Sequence, residues 1–454
     1  MKRILFVGAA VIVLLLLGVF GYAAYLLRSL STPEFKRTLL ERARATVGAD
    51  VQVKEMEISV LSGVTLKGVT IANPDPFPGN LMTAEAFVLR YRLWPLLSGQ
   101  FEVERLAFEK PRLTLAMDAR GTFNYEKLGG RSAGAAGREH VPAAGGARVA
   151  TPIELVLKKL AVDGASILMQ DQTKAALMKM EGVDFDSAFR VAAAGAQGSG
   201  KATIATLSLA DMMFVRGLSA SLELSKDSVK LAPIRATLAD GTVGGDIRVN
   251  LKDGFRFTVN LEVKGARVKT LLEEAKSKAS VAGSLMAKAS FEGSGGLPTL
   301  KGKGRAEIAD CRVTNARTLA VVAAALRVPE LANPDLDQCL VEFSMAGSRI
   351  QTPVVRLTGK QIQITGHGTT NLDTSALDYD MNLALGKELM DKITVRELRA
   401  AFRDRGDGFS AVDFKVTGTT LAPQTDLASK VGKAAATEAA VSGLKKLFGK
   451  KKTN

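Results

Sequence analysis

Residues Phe255–Lys264 read FRFTVNLEVK. Phe255, Phe257, Val259, Leu261 and Val263 occupy every second position, and Arg256, Thr258, Asn260, Glu262 and Lys264 fill the gaps. Successive side chains of an extended strand point to opposite faces, so this segment has one dry face and one wet face. The same period recurs at Leu222-Leu224, Ile247-Val249-Leu251, Val341-Phe343-Met345, Ile362-Ile364, Met381-Leu383-Leu385 and Val412-Phe414-Val416. Nearer the amino terminus it runs through VQVKEMEISV from Val51, then GVTLKGVTI, FVLRYRLW, FEVERLAFE and PRLTLAM, where Pro111 opens a strand. Helical spacing is confined to a few stretches: Thr32 to Gly48, capped by Thr32 with Pro33 in the first turn, Val268 to Ala279, and Ala316 to Arg327. Many strands thus offer an apolar face and few helices exist to cover it. That face must meet a second sheet, close on itself as a barrel, or meet something apolar that is not protein.

The composition excludes several functions. The chain has 454 residues, 61 Lys and Arg against 46 Asp and Glu, two Cys and two His. That is too few Cys and His for a disulfide scaffold or a Cys/His zinc cluster, and it leaves few nucleophile-and-base pairs. Gly195 to Lys201, GAQGSGK, nearly spells a phosphate-binding loop, but Ala202 stands where a Mg²⁺-ligating Ser or Thr is needed. The following residues, with Thr203, Ala205, Leu207 and Leu209 alternating, predict a strand where that motif needs a helix. His140 lies in a Gly/Ala tract and His367 in TGHGTT, neither beside a nucleophile or a run of carboxylates. No catalytic, metal or cofactor site is expected. Cys311 and Cys339 each start a strand after a turn, and they read either as a bridged pair or as two separate small core residues.

Ile4 to Leu27 is a run of 24 uncharged, mostly apolar residues. About 20 such residues span a bilayer, and the run exceeds the apolar core of a cleavable signal peptide. It predicts an uncleaved anchor with the amino end in the cytoplasm and the rest of the chain outside it. Gly129 to Ala150 contains 13 Gly and Ala among 22 residues and predicts a flexible connection. The end of the chain carries Lys445, Lys446, Lys450, Lys451 and Lys452 beside Val441, Leu444, Leu447 and Phe448 on one helical face. That pattern reads as a membrane-surface helix or as a solvated tail. Nucleic acid is not an expected partner, since few aromatics interleave with the basic residues. The expected organisation is residues 1–30 as anchor, 31–128 as an amino-terminal β domain, 129–151 as linker, 152–427 as a second β region and 428–454 as basic tail.

The stretch LRYRLWPLLSGQFEVERLAFEKPRLTLAMDARGTFNYEKL resembles the AsmA family of bacterial envelope proteins. It joins a Pro-Leu-Leu-Ser-Gly turn to a strand, then to Gly-Thr-Phe-Asn and an aromatic, with Tyr125 where Trp is frequent in the family. KLAVDGASILMQDQ, ATLADGTVGGDIRVNL, GLPTLKGKGRAEIADCRV, GHGTTNLDTSALDYDMNL and VTGTTLAPQTDL follow the family's rhythm, with Cys311 where Gly is commoner. The resemblance implies an inner-membrane anchor and a periplasmic, mainly β body whose curved antiparallel sheet forms an open groove. It implies a role in carrying phospholipids towards the outer membrane, or alternatively in assembling outer-membrane proteins as a scaffold, with outer-membrane or envelope assembly proteins as partners. The groove candidates are the alternating apolar residues already named from Ile247 to Val416, apart from Ile362 and Ile364, against the alternative that they form an ordinary closed sandwich.

Overall fold

The computed structural model describes residues 33–128, 154–314 and 326–430, apart from residues 60–62, 93, 96–99, 193–194, 253–254, 278–279, 295–296, 327, 395, 421 and 428, together with Ala323. Among these residues are 22 strands and only short helices. No described helix is long and apolar enough to cross a membrane. The predicted anchor at 4–27, the linker and the tail beyond Lys430 lie outside the described residues. The chain divides into two compact units, residues 1–237 with 244–257, and residues 238–243 with 258–454.

The first unit opens with helix α1 (Pro33–Val47), as Pro33 and the apolar spacing predict, while the predicted cap Thr32 lies outside the described residues. Val47 and Ala49 lead it onto a cluster of Val51, Ile71, Leu81, Leu115 and Tyr125. The first predicted strand is interrupted, giving β1 (Val51–Gln52) and β2 (Glu55–Ser59). Both lie antiparallel along β3 (Gly63–Ala72), which pairs with β4 (Asn80–Arg92). β4 pairs with β5 (Gln100–Glu109) and, at its start, with β6 (Arg112–Ala116). β5 and β6 both run parallel to β7 (Glu154–Gln170). β8 (Ala176–Ala192), β9 (Gly195–Leu209) and β10 (Met213–Ser225) then follow by antiparallel pairing. β11 (Ser228–Leu238) and β12 (Gly241–Asn250) fall mainly in this unit.

The expectation of a wholly antiparallel sheet is therefore corrected: the unit is mixed. Alternation reports which face a side chain takes and is blind to strand direction. Parallel neighbours need a crossover connection of a dozen or more residues. The Gly/Ala-rich segment predicted as a linker lies in that connection, between β6 and β7.

The long strands keep their apolar residues on one face despite a change of phase. In β8 these are Met178 and Met180, then Val183, Phe185 and Phe189. In β10 they are Met213 and Val215, then Leu218, Ala220, Leu222 and Leu224. The switch falls at Gly182 and Gly217, both with φ of +60°, on either side of Ala205 of β9. A Cβ at Gly182 would sit 2.7 Å from that of Ala205, whereas one at Gly217 would meet nothing within 4 Å. The pair separates two costs. Gly217→Ala is expected to lose about 1–2 kcal/mol from the left-handed backbone alone. Gly182→Ala adds overpacking of about 1–3 kcal/mol. Urea unfolding of the two variants checks this, and equal losses would refute the steric share.

The second unit begins with β13 (Phe257–Arg267) and helix α2 (Val268–Glu274), shorter than its pattern because Lys276 turns out of it at φ +51°. β14 (Ser280–Gly293), β15 (Lys301–Thr314), β16 (Asp335–Ala346), β17 (Arg349–Thr358), β18 (Ile362–Asn371) and β19 (Leu377–Gly386) then pair successively and antiparallel. Short helices α3 (Lys387–Lys392) and α4 (Arg396–Arg399) lead to β20 (Arg403–Asp404) and β21 (Phe409–Gly418), followed by β22 (Pro423–Thr425). β21 lies between β19 on one side and the two short strands on the other. Of the predicted helix at 316–327, Ala323 and Leu326 are described, and both are helical and buried.

Candidate functional site

Strand register gathers the predicted apolar residues of the second unit into rows. One row runs Ala287, Ala306, Val341, Val355, Gly366, Met381 and Phe414 across seven strands. The next runs Leu285, Ile308, Cys339, Leu357, Ile364, Leu383 and Val412. On the other side of the first lies a row through Phe291, Gly302, Met345 and Ile350. Phe343 lies opposite Gly304, and Val416 opposite Tyr379. Fifteen of the 17 groove candidates thus fall within strands. The exceptions are Leu251, in the turn after β12, and Phe255, which stands at φ +59° ahead of β13. Both continued the period of two, but the chain turns between them, and the sequence period does not register the end of pairing.

Burial divides these rows in two. Leu383 (2% exposed), Leu385, Ile362, Ile364, Val412 and Phe414 form a closed core with Leu326, Val328, Leu331, Leu389, Met390, Ile393, Phe402 and Leu427. Val341, Phe343, Met345, Met381 and Val416 are only half-buried. So are Phe257, Val259, Leu261 and Val263, the dry face of β13, and, in the first unit, Ile247 and Val249 of β12. The apolar face of this unit is therefore sealed by helices and loops at one end of its strands and left partly uncovered along the rest.

The first unit shows a gradient of the same kind. Val103 (0% exposed) and Leu157 are buried, while Phe189, Gly198 and Leu224, which continue their row, are half-buried. The row Leu115, Met169, Met178, Leu209 and Met213 adds flexible, polarizable side chains that adapt to irregular apolar partners.

Glycines keep this face flat. A methyl group at Gly198, Gly302 or Gly304 would overlap the ring of Phe189, Phe291 or Phe343 on the neighbouring strand, and one at Gly366 would overlap Met381. Large side chains thus lie over glycine backbone and do not stand up from the sheet. This accounts for GAQGSGK: it begins β9, its Gly198 lies under Phe189, and its Gly200 packs against Ser187.

The opposite face is charged. Glu262 pairs with Lys264 at 3.0 Å and Lys288 at 2.9 Å, and Arg305 with Glu307 at 3.1 Å and Glu342 at 3.0 Å. Hydrogen bonds from Lys288 and Lys264 hold the Glu262 carboxyl below the usual carboxylate range. His367 stands opposite Asp380 on this wet side, and Asp380, lowered chiefly by its hydrogen bond from Lys415, is engaged at 2.9 Å. Among the described residues no group of three or more His, Cys, Asp and Glu is arranged to hold a metal ion.

Cys311 of β15 and Cys339 of β16 are joined by a disulfide, with their Cα atoms 6.2 Å apart. The expectation that each starts a strand is corrected: Cys311 lies near the end of β15 and Cys339 inside β16, and the antiparallel pairing of these two strands brings them together. The lysines of the predicted basic tail, Lys445 to Lys452, lie outside the described residues.

The sequence model of the AsmA family matches residues 1–228, half of the chain. No curated protein and no solved structure matches it.

Proposed function

The chain belongs to the AsmA family, and on that basis we propose that it is an inner-membrane-anchored periplasmic protein that carries phospholipids along the half-buried apolar face of its strands towards the outer membrane. The observation that carries this reading is the partial burial of the face: Phe257, Val259, Leu261, Val341 and Phe343 are half-buried and belong to no closed core cluster. An acyl chain laid there gains about 0.8 kcal/mol per CH₂ removed from water. Within a row the side chains repeat from strand to strand at about 4.8 Å, so an acyl chain shifts from one strand to the next without returning to water. No residue need react, and the charged outer face keeps the strands soluble.

Two further features support the reading. A disulfide suits an oxidising compartment such as the periplasm. Residues 4–27 are long enough to span a bilayer. The alternative, a scaffold that pairs its strand edges with a client, is disfavoured by the edges themselves. The outer side of β3 is occupied by strands of two and five residues, and that of β21 by strands of two and three, the last beginning with Pro423. Short and proline-bearing edge strands discourage pairing with another chain.

A photoreactive phenylalanine analogue placed at Leu261 in the full chain is expected to crosslink phospholipid in cells. The same group at Lys264, on the wet face of β13, is expected to capture none. Equal labelling at the two positions, or protein adducts only at Leu261, would overturn lipid carriage.

A further inference from the structure

In the first unit the positions where strands change phase line up. Gly68 of β3 (φ +61°) lies opposite Glu85 of β4, whose carboxylate pairs with Lys110 (φ +43°) at 3.1 Å. Lys110 donates its backbone N–H to Asp163 at 2.7 Å, beside Gly164 of β7 (φ +63°). One residue pair further along the strands, Gly182 of β8, Ala205 of β9 and Gly217 of β10 lie side by side. On each of these three strands two adjacent residues face the wet side: Glu181-Gly182, Ala205-Thr206 and Arg216-Gly217. Glu181, Ala205 and Arg216 are exposed. An extra outward residue bends a strand, so bends set side by side crease the sheet over its dry face.

We propose that this crease seats one acyl chain of a phospholipid, laid across β7 to β10. The inference rests on the lipid-carrying reading above and adds a site in the first unit. Two apolar rows border the crease, Met180, Leu207 and Val215 on one side and Val183, Ile204 and Leu218 on the other. Ile167 and Ala165 continue them onto β7. Met180, Val183, Ile204, Leu207 and Leu218 are half-buried, and no polar side chain interrupts either row. Towards β3 the dry side is filled by Val69, Phe87, Leu106 and Leu160, which closes that end of the seat. From β7 to β10 the crease spans three strand spacings, about 14 Å. One acyl chain reaches across half of the hydrocarbon core of a bilayer, about 15 Å. A polypeptide is a poor occupant. β8 and β9 are paired on both sides, and apolar rows offer no partner to the N–H and C=O groups of a second chain.

The test maps where a lipid lies. The full chain is reconstituted into vesicles of phosphatidylethanolamine whose acyl chain carries a diazirine either near the carbonyl or near the methyl end, and photoadducts are located by mass spectrometry. Adducts are expected within the two rows, and they should move from one strand to another as the diazirine moves along the acyl chain. Adducts spread along a single strand, whatever the diazirine position, would overturn the crease as the seat. Adducts on the β13 face with none in the two rows would also overturn it, and would leave lipid carriage intact. No adduct outside residues 4–27 would overturn lipid carriage itself. Ile204→Asp is expected to abolish the adducts in the crease and spare those on β13, whereas Thr206→Asp, on the wet side of the same strand, spares both. Undiminished crease adducts in Ile204→Asp would refute the seat.

Discussion

Val259→Asp is expected to yield a folded chain that carries no lipid, and Leu383→Asp a chain that does not fold its second unit. Both residues are apolar and both lie on a dry strand face, yet they differ in cover. Leu383 is 2% exposed within the core closed by Leu389, Met390, Ile393 and Phe402. Truncating such a leucine costs about 2–5 kcal/mol, and burying an unpaired carboxylate costs several more. That total rivals the whole stability of a domain, about 5–15 kcal/mol. Val259 is only half-buried on β13. Its carboxylate can reach water, and the loss in strand preference is about 1 kcal/mol. For a lipid, however, the same carboxylate interrupts the apolar face of β13. The measurement is circular dichroism together with mass spectrometry of lipids bound to residues 32–454, exported without the apolar run. A folded Val259→Asp chain with undiminished lipid would refute the conduit. An unfolded one would mean that the β13 face is closed, as in a sandwich.

Much of this architecture was legible in the alternation itself. Phe257 to Val263 gave a strand, a dry face and a wet face, and the ion pairs of Glu262 with Lys264 and Lys288 lie where the pattern put the wet one. Pro33 and Gly48 bracketed α1 because helix-end preferences are local chemistry. Three things were not legible, each for a physical reason. Strand direction leaves no trace in a period of two, so the parallel pairing of β5 and β6 with β7 was missed. Cover is contributed by distant segments. Nothing near Leu383 or Val412 distinguishes them from Val341 or Met381, and the difference is made by Leu326 to Leu331 and Leu389 to Phe402 folding over one end of the strands. The glycines were ambiguous because one residue type serves a phosphate cradle, a kink such as Gly182 and a bed for an aromatic ring such as Gly198.

Removing the disulfide is expected to loosen that cover specifically. Cys311 and Cys339 are 28 residues apart, and a closed loop of this size removes about 3–4 kcal/mol of chain entropy from the unfolded state. The segment they enclose contributes Ala323, Leu326, Val328 and Leu331 to the closed core, against Ile364, Leu383 and Leu385. The bridge therefore ties down the strap that seals one end of the apolar face. In Cys311→Ala with Cys339→Ala, unfolding of the second unit should shift to lower urea by the equivalent of that energy, while the first unit, which contains neither cysteine, keeps its midpoint. Reducing the native chain should reproduce the shift, and reductant should do nothing further to the double variant. Protease cleavage is expected to appear within residues 312–338 before any strand is lost, since local opening precedes global unfolding where few contacts oppose it. An unchanged transition on reduction would mean that Leu326, Val328 and Leu331 hold the strap by packing alone. A shift in both units would mean that the bridge stabilises the sheet as a whole and not the cover at its end.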